Sequence, residues 1–441
     1  MNLADALNLA CACQTLEPSR LREQLETSPA LHGLTTRISQ THPHLFSATA
    51  VFLDGAVHTQ VVDAVAALER VIALPAWQAQ ALARAHPIAQ LQWGPAGVYM
   101  GYDFHLAADG PKLIEINSNA GGALLNAALA RAHRACCGAV GAPTEGSLLP
   151  LEAEFLDMFR AEWQSQRAGA PLRNVLIVDD APAQQYLAPE FEMARALFHA
   201  HGLVAVIADP RELQWRDGAL WHPALPPGMP VDLVYNRLTD FYLQDRDHEA
   251  LQQAYLAGAA VVTPHPRVHA TYANKRNLVA LSDPAQLEAW GVNAADRALL
   301  HSVVPATEAV TDDHAEALWA RRRSLFFKPA AGFGARAAYR GDKLTRRAWA
   351  DILAGDYVAQ TTVPPSERLV LVDGHPTRLK LDLRAYTYRG HIQLLAARTW
   401  AGQTTNFRTE GGGFSPVVVL PARPGALAGG CLADGLPEAR G

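Results

Sequence analysis

Val98-Tyr-Met-Gly-Tyr-Asp103-Phe-His-Leu106, Ala107-Ala-Asp-Gly-Pro111 and Lys112-Leu-Ile-Glu115-Ile-Asn117 read as strand, tight turn, strand. The Asp109-Gly110 pair supplies the turn chemistry of a β-hairpin. On a strand, residues two apart share a face, so Glu115 and Asn117 project together. Asp103 lies 12 residues before Glu115 and, across a tight turn, falls opposite it. Two carboxylates and an amide oxygen then converge on one spot. Such hard oxygen donors suit Mg²⁺ (or Mn²⁺), which takes few protein oxygens and shares its other positions with phosphate and water. The alternative is a polar hairpin face in water. Leu113, Ile114 and Ile116 interleave with Glu115 and Asn117, which argues instead for an acid at the edge of a packed sheet.

Outward from the hairpin, composition bounds the chain. Its 441 residues allow two or three domains. With 49% hydrophobic and 18% charged residues it is core-forming. A net charge of −5 provides no basic field for nucleic acid. Five cysteines exclude a disulfide-stapled scaffold, and no apolar run reaches the ~20 residues of a membrane helix. Leu9-Ala-Cys11 superficially resembles a lipoprotein cleavage site, but no lysine or arginine precedes it and Asp5 interrupts the apolar stretch. The expectation is a cytoplasmic protein opening on a capped amphipathic helix. Cys11-x-Cys13 and Cys136-Cys137 lack zinc-ligand spacing and read as small buried hydrophobes.

Residues 1 to about 95 read as mainly helical, with Val62, Val65, Leu68 and Ile72 on one face. An alanine-rich helix from Ala123 to about Cys137 and a Gly/Pro linker from Ala139 to Pro150 follow the hairpin. Strands at Asn174–Val178, Leu203–Ala208, Val231–Asn236 and Ala260–Thr263 alternate with helices at Pro189–His201 and His248–Leu256. That alternation implies a parallel, Rossmann-like sheet, although no GxGxxG marks a dinucleotide site. Beyond residue 266 the pattern is α+β, with strands at 325–328, 337–340, 357–361, 368–372, 379–387 and 392–399. The expected division is 1–165 (helices plus hairpin), 172–265 (Rossmann-like), 266–420 (two further lobes) and 421–441 (a flexible tail).

Only five of the 38 basic residues are lysine. Where arginine is so freely used, a motif lysine marks a need for a compact point charge. Lys328 ends the strand Phe326-Phe-Lys and enters Pro-Ala-Ala-Gly332-Phe333-Gly334-Ala-Arg336. The lysine suits phosphate oxygens, and the glycines let backbone N–H groups approach others; a glycine-rich hairpin turn is the competing reading. The backbone of Val358, Ala359 and Gln360 suits an adenine edge, with Glu367 near a ribose. Arg384 and Arg398 fall on consecutive strands, as an anion clamp or as exterior ion pairs. Thr404–Gly413 reads equally as a ligand loop, with Asn406 and Arg408 as substrate contacts, or as solvent-facing coil.

Together these segments resemble the ATP-grasp superfamily of carboxylate–amine ligases. The hairpin carrying Asp103, Glu115 and Asn117 is similar to the metal hairpin of D-alanine–D-alanine ligases and glutathione synthetases. Lys275 and Lys328 resemble the family's two phosphate lysines, Gly332–Arg336 its phosphate-covering loop, and Tyr357–Gln360 its adenine hinge. In that family the metal hairpin comes last, whereas here it precedes the Rossmann-like unit. Joining the C-terminus to the N-terminus restores the usual order, so the sequence resembles a circularly permuted ATP-grasp fold with a Rossmann-like pre-ATP-grasp domain. Gln360 stands where many relatives carry an acid, and Asn119-Ala-Gly-Gly replaces the frequent Asn-Pro-Gly.

The resemblance implies ATP and Mg²⁺ as cofactors, an acyl-phosphate intermediate, and small-molecule carboxylate and amine substrates. Arg384 and Arg398 would stabilise the transferred phosphoryl group, and Arg237 would clamp a substrate carboxylate. A small-molecule kinase on the same fold and a non-catalytic nucleotide-binding protein are the alternatives. Nucleic acid and membrane are not expected partners, and a homodimer is left open.

Overall fold

The computed structural model describes residues 2–134, 151–332 and 337–421. The Gly/Pro linker, Cys136-Cys137, the end of the alanine-rich helix and the expected tail therefore lie outside the described residues, save Pro421.

Along the chain the strands are β1 (Val51–Asp54), β2 (Met100–Ala107), β3 (Gly110–Asn117), β4 (Asn174–Val178), β5 (Val204–Ala208), β6 (Gln214–Arg216) and β7 (Ala219–Trp221). Then come β8 (Leu233–Asn236), β9 (Val261–Thr263), β10 (Thr307–Ala309), β11 (Leu325–Pro329), β12 (Tyr339–Arg340) and β13 (Tyr357–Thr361). The last four are β14 (Ser366–Val372), β15 (His375–Tyr388), β16 (His391–Trp400) and β17 (Gly413–Leu420).

Residues 174–263 form a parallel sheet in the order β5-β4-β8-β9. The run Val175-Leu-Ile-Val178 is fully buried because both of its faces are covered. Val175 and Ile177 pack in one cluster with Phe191 and Phe198 of the helix Ala188–Ala200. Leu176 and Val178 pack in another with Leu251 and Tyr255 of the helix Glu249–Leu256. Period-2 alternation thus assigns one helix to each face.

The largest sheet has seven strands, β1-β17-β16-β15-β2-β3, with β14 also paired to β15. It draws on both ends of the chain: β2 pairs antiparallel with β15, and β1 pairs parallel with β17. Strands β1, β6, β7, β10 and β17 were not foreseen. Val51–Asp54 and Thr307–Ala309 are too short to show a period, and Gly412-Gly413 obscures the start of β17. The third sheet, β10-β13-β11-β12, is antiparallel around β13. Among the described residues no helix is long and apolar enough to cross a membrane.

The hairpin of β2 and β3 carries a bulge. Asp103 faces Glu115 but Phe104 faces Leu113, so Ile114 is left without a partner. A bulge of this kind re-aims the side chains on either side of it. Leu113 turns into the core while Ile114, Glu115 and Asn117 line a cavity, to whose wall the core residue Ile116 also contributes. Simple alternation, which would place Ile114 with the core, fails at this point.

Candidate functional site

Three of the four sheets, all but the two-stranded β6-β7 ribbon, border one cavity of about 820 Å³, within the ~300–1,000 Å³ typical of ligand sites. Its floor is one face of the large sheet. Asp103 on β2 pairs across the ladder with Glu115 on β3 and with Arg384 on β15. Asp382, two residues before Arg384 and so on the same face, pairs with Arg398 on β16. Four adjacent strands in register therefore lay out an alternating array of acids and guanidiniums.

The array is tightly paired. Arg384 donates to both Asp103 oxygens at 2.6 Å, and Arg398 adds a third bond at 2.8 Å. Arg398 also grips Asp382 at 2.8 and 2.9 Å. Burial alone would raise the pKa of Asp103, but the two guanidiniums outweigh it and hold the carboxyl well below its usual range. This departs from the expected metal role: both Asp103 oxygens are committed to arginines, and the residue anchors Arg384 and Arg398.

Glu115 and Asn117 are placed differently. Asn117 donates from Nδ2 to Asp103 and Glu115, each at 3.2 Å. Glu115 lies 3.8 Å from the Lys275 ammonium. Burial would raise its pKa, but Lys275 and Lys328 prevail and keep it lowered. Among the described residues no group of three or more His, Cys, Asp or Glu is disposed to hold a metal ion. A cation that takes most of its ligands from phosphate and water needs no such cluster. The Glu115 carboxylate and the Asn117 amide fit that demand.

The two lysines reach this face from other elements. Lys328, at the end of β11, donates to the Ile114 carbonyl at 2.8 Å and to Gln360 Oε1 at 2.7 Å. The bulge frees that carbonyl, and Gln360 is held by the Thr307 hydroxyl at 3.3 Å. Burial lowers the Lys328 pKa to about 8. Lys275 donates to the Gly332 carbonyl at 2.9 Å, while its backbone N–H binds the Ala330 carbonyl. It follows the π-helical turn His269–Ala273, whose His269 stacks on Phe241 at 3.7 Å. Burial depresses His269 to about 3, so the imidazole is neutral.

Several expected contacts are not at the wall. Val358 and Ala359 are paired to β10 on one side and β11 on the other, so their backbone groups are spent on the sheet. The wall continues through Thr361–Pro365 instead, with Glu367 beyond. Asn406 staples its own loop, donating to the Ala401 and Thr404 carbonyls and accepting from Arg408 N–H and Thr409. Arg408 is exposed and does not line the cavity. Gly332 does line it, whereas Phe333, Gly334 and Arg336 lie outside the described residues.

Other wall residues escaped the sequence reading. Lys380 and Asp382 precede Arg384 at period-2 positions, a signal sufficient to find both. Asp382 also accepts from Thr405 at 2.8 Å, tying down the loop after β16. Asp179 lies just after β4, at the carboxyl edge of the parallel sheet, where ligands of such sheets bind. Around the cavity seven cations (Arg237, Lys275, Lys328, Arg340, Lys380, Arg384, Arg398) meet five carboxylates (Asp103, Glu115, Asp179, Glu367, Asp382). The excess of two positive charges favours a polyanion.

No protein-family profile matches the chain, and no curated protein matches it. Solved structures do. A glutathione synthetase-like effector from Globodera pallida, in its apo form, is similar over 92% of this chain and 98% of its own, with TM-score 0.53 and 12% identity. A putative gamma-glutamylcysteine synthetase from Methylobacillus flagellatus is similar over 81% of this chain and 84% of its own, with TM-score 0.45 and 11% identity. The first of these bears on architecture: the fold is ATP-grasp-like. It is built from the curved mixed sheet, the small antiparallel sheet, the parallel sheet and the two-stranded β6-β7 ribbon.

Proposed function

We propose that the chain is an ATP-dependent ligase that joins a carboxylate to an amine through an acyl phosphate. The observation that carries this reading is the convergence of Lys275, Lys328, Arg384 and Arg398 around Glu115 and Asn117 in one cavity. The order of elements fits a circular permutation, since a hairpin early in the chain pairs beside β15.

Phosphoryl transfer is catalysed chiefly by positioning and charge neutralisation. Lys328 and Lys275 neutralise phosphate oxygens of the nucleotide. Arg384 and Arg398, held rigid by Asp103 and Asp382, stabilise negative charge on the transferred group. Glu115 and Asn117 would hold Mg²⁺, which would supply charge neutralisation to the phosphate groups. The substrate carboxylate takes the γ-phosphoryl group as ADP leaves. The amine then attacks the acyl carbon, forming the C–N bond as the C–O bond to phosphate breaks. Thr361–Pro365 follows β13 along the wall and suits the nucleobase.

The test is ADP release from ATP, screened over pairs of carboxylates and amines. Release that requires both partners, and that yields an amide, supports the ligase. A phosphorylated product formed without any amine would replace it by a kinase.

A further inference from the structure

One end of the cavity is framed by the parallel sheet, and its chemistry is distinct. Strands β4 and β8 are neighbours, with Val178 opposite Asn236. The next residue of each, Asp179 and Arg237, emerges at the carboxyl edge, and the Arg237 N–H still binds the Val178 carbonyl at 2.8 Å. Both side chains are more than nine-tenths buried and both line the cavity. They interact electrostatically without forming an ion pair.

Among the described residues neither charge is closed by an ion pair, although Arg237 also bonds the Tyr235 side chain and His248 lies in reach of Asp179 electrostatically. Arg237 donates from Nη1 to Asn119, but its Nε has no partner. Its other acidic neighbour, Glu190, accepts the Gly122 and Leu124 N–H groups at 2.7 and 3.0 Å. Asp179 accepts from the Asp180 N–H. An apolar wall adjoins the pair. A Cβ on Gly121 would fall 2.6 Å from Arg237 Nη2 and 2.3 Å from Leu187, so both side chains crowd the same glycine. Beside Leu187, Tyr186 stacks on Phe407 at 5.3 Å, and Phe407 meets Phe414 at 4.7 Å.

We propose that Arg237 and Asp179 bind the carboxylate and ammonium of the amine substrate, a free α-amino acid whose bulky apolar side chain rests on Tyr186, Leu187 and Phe407. The proposal rests on the ligase reading. Adjacent strands are about 4.8 Å apart, a spacing that sets one cation and one anion side by side for a zwitterion. Burial raises the Asp179 pKa to about 7, which marks a carboxyl whose ionised form lacks a full complement of partners.

Calorimetric titration of the full chain with L-phenylalanine and L-leucine tests this, with and without Mg²⁺ and a non-hydrolysable ATP analogue. L-phenylalaninamide lacks the carboxylate, 3-phenylpropanoate lacks the ammonium and L-alanine lacks the side chain. Each is expected to bind at least tenfold more weakly than L-phenylalanine. Arg237→Gln should abolish discrimination against the amide, and Asp179→Asn discrimination against 3-phenylpropanoate. Equal affinity across the series overturns the proposal, as does binding of the nucleotide analogue with no amino acid binding. Amino acids that bind while the nucleotide analogue does not would retain this site and overturn the ligase reading instead.

Discussion

Glu115 is the one carboxylate on the sheet face not gripped by an arginine. Glu115→Gln keeps the shape and removes the charge that would face a cation. It is expected to lower turnover by at least about 100-fold, of the order lost when one preorganised electrostatic group is removed, as read by ADP release. Turnover like the wild type would refute the metal role. Lys328 yields a pH prediction. Its folded pKa of about 8 lies below the ordinary 10.5 because burial disfavours the charged form. Between about 8 and 10.5 the unfolded chain therefore holds more protons, and stability of the free protein rises with pH in that window. Phosphate binding needs the ammonium, so nucleotide affinity should fall as pH climbs past about 8. Lys328→Met should remove that pH dependence, which titration calorimetry at several pH values will show. Asp103 is shifted in the same direction, so stability again rises with pH, now at the acid end. Its depressed pKa contributes stability above the unfolded carboxylate value that is lost as pH falls toward the folded one. Asp103→Asn strands two buried guanidiniums and should cost about 3–5 kcal/mol in denaturant unfolding.

At the scale of elements, the hairpin was legible because Asp-Gly chemistry and alternating apolar residues are local signals. The bulge at Ile114 was not, since it depends on how β2 and β3 are held by β15 and the core. That bulge explains why Lys328 finds a free carbonyl there. Lys275 and Lys328 were identified by residue type, but only packing shows that Gln360 serves Lys328 and that Val358 and Ala359 are fully paired. Asn406 illustrates the same limit: a polar loop residue looks the same in sequence whether it faces a ligand or its own backbone. The glycines after Asn119 have a packing reason. Gly122 caps the helix Ala123–Ala132 at φ +99°, and a Cβ there would lie 2.4 Å from the Phe414 ring. Gly122→Ala should combine left-handed strain with overpacking, at about 3 kcal/mol in total. A melting temperature within a degree of the wild type would contradict that account.

Across the whole molecule, the two ends of the chain meet in one sheet. Arg368 on β14 is buried against the carbonyls of Leu7, Asn8, Cys11 and Ala50, so the N-terminal helix is fastened to a late strand. Three of the four sheets contribute to the cavity, so a ligand there binds the folded state as a unit. Such binding should stabilise the protein by about 2.7 kcal/mol at 100 times the dissociation constant. The central claim is that this cavity holds Mg-ATP. The measurement that tests it most directly is calorimetric titration with a non-hydrolysable ATP analogue, with and without Mg²⁺, on the wild type and Lys328→Met. The account predicts binding that Mg²⁺ strengthens and that Lys328→Met weakens by about 1–3 kcal/mol, the value of a charge-assisted hydrogen bond. Binding unaffected by both Mg²⁺ and the substitution, or no binding at all, would contradict it.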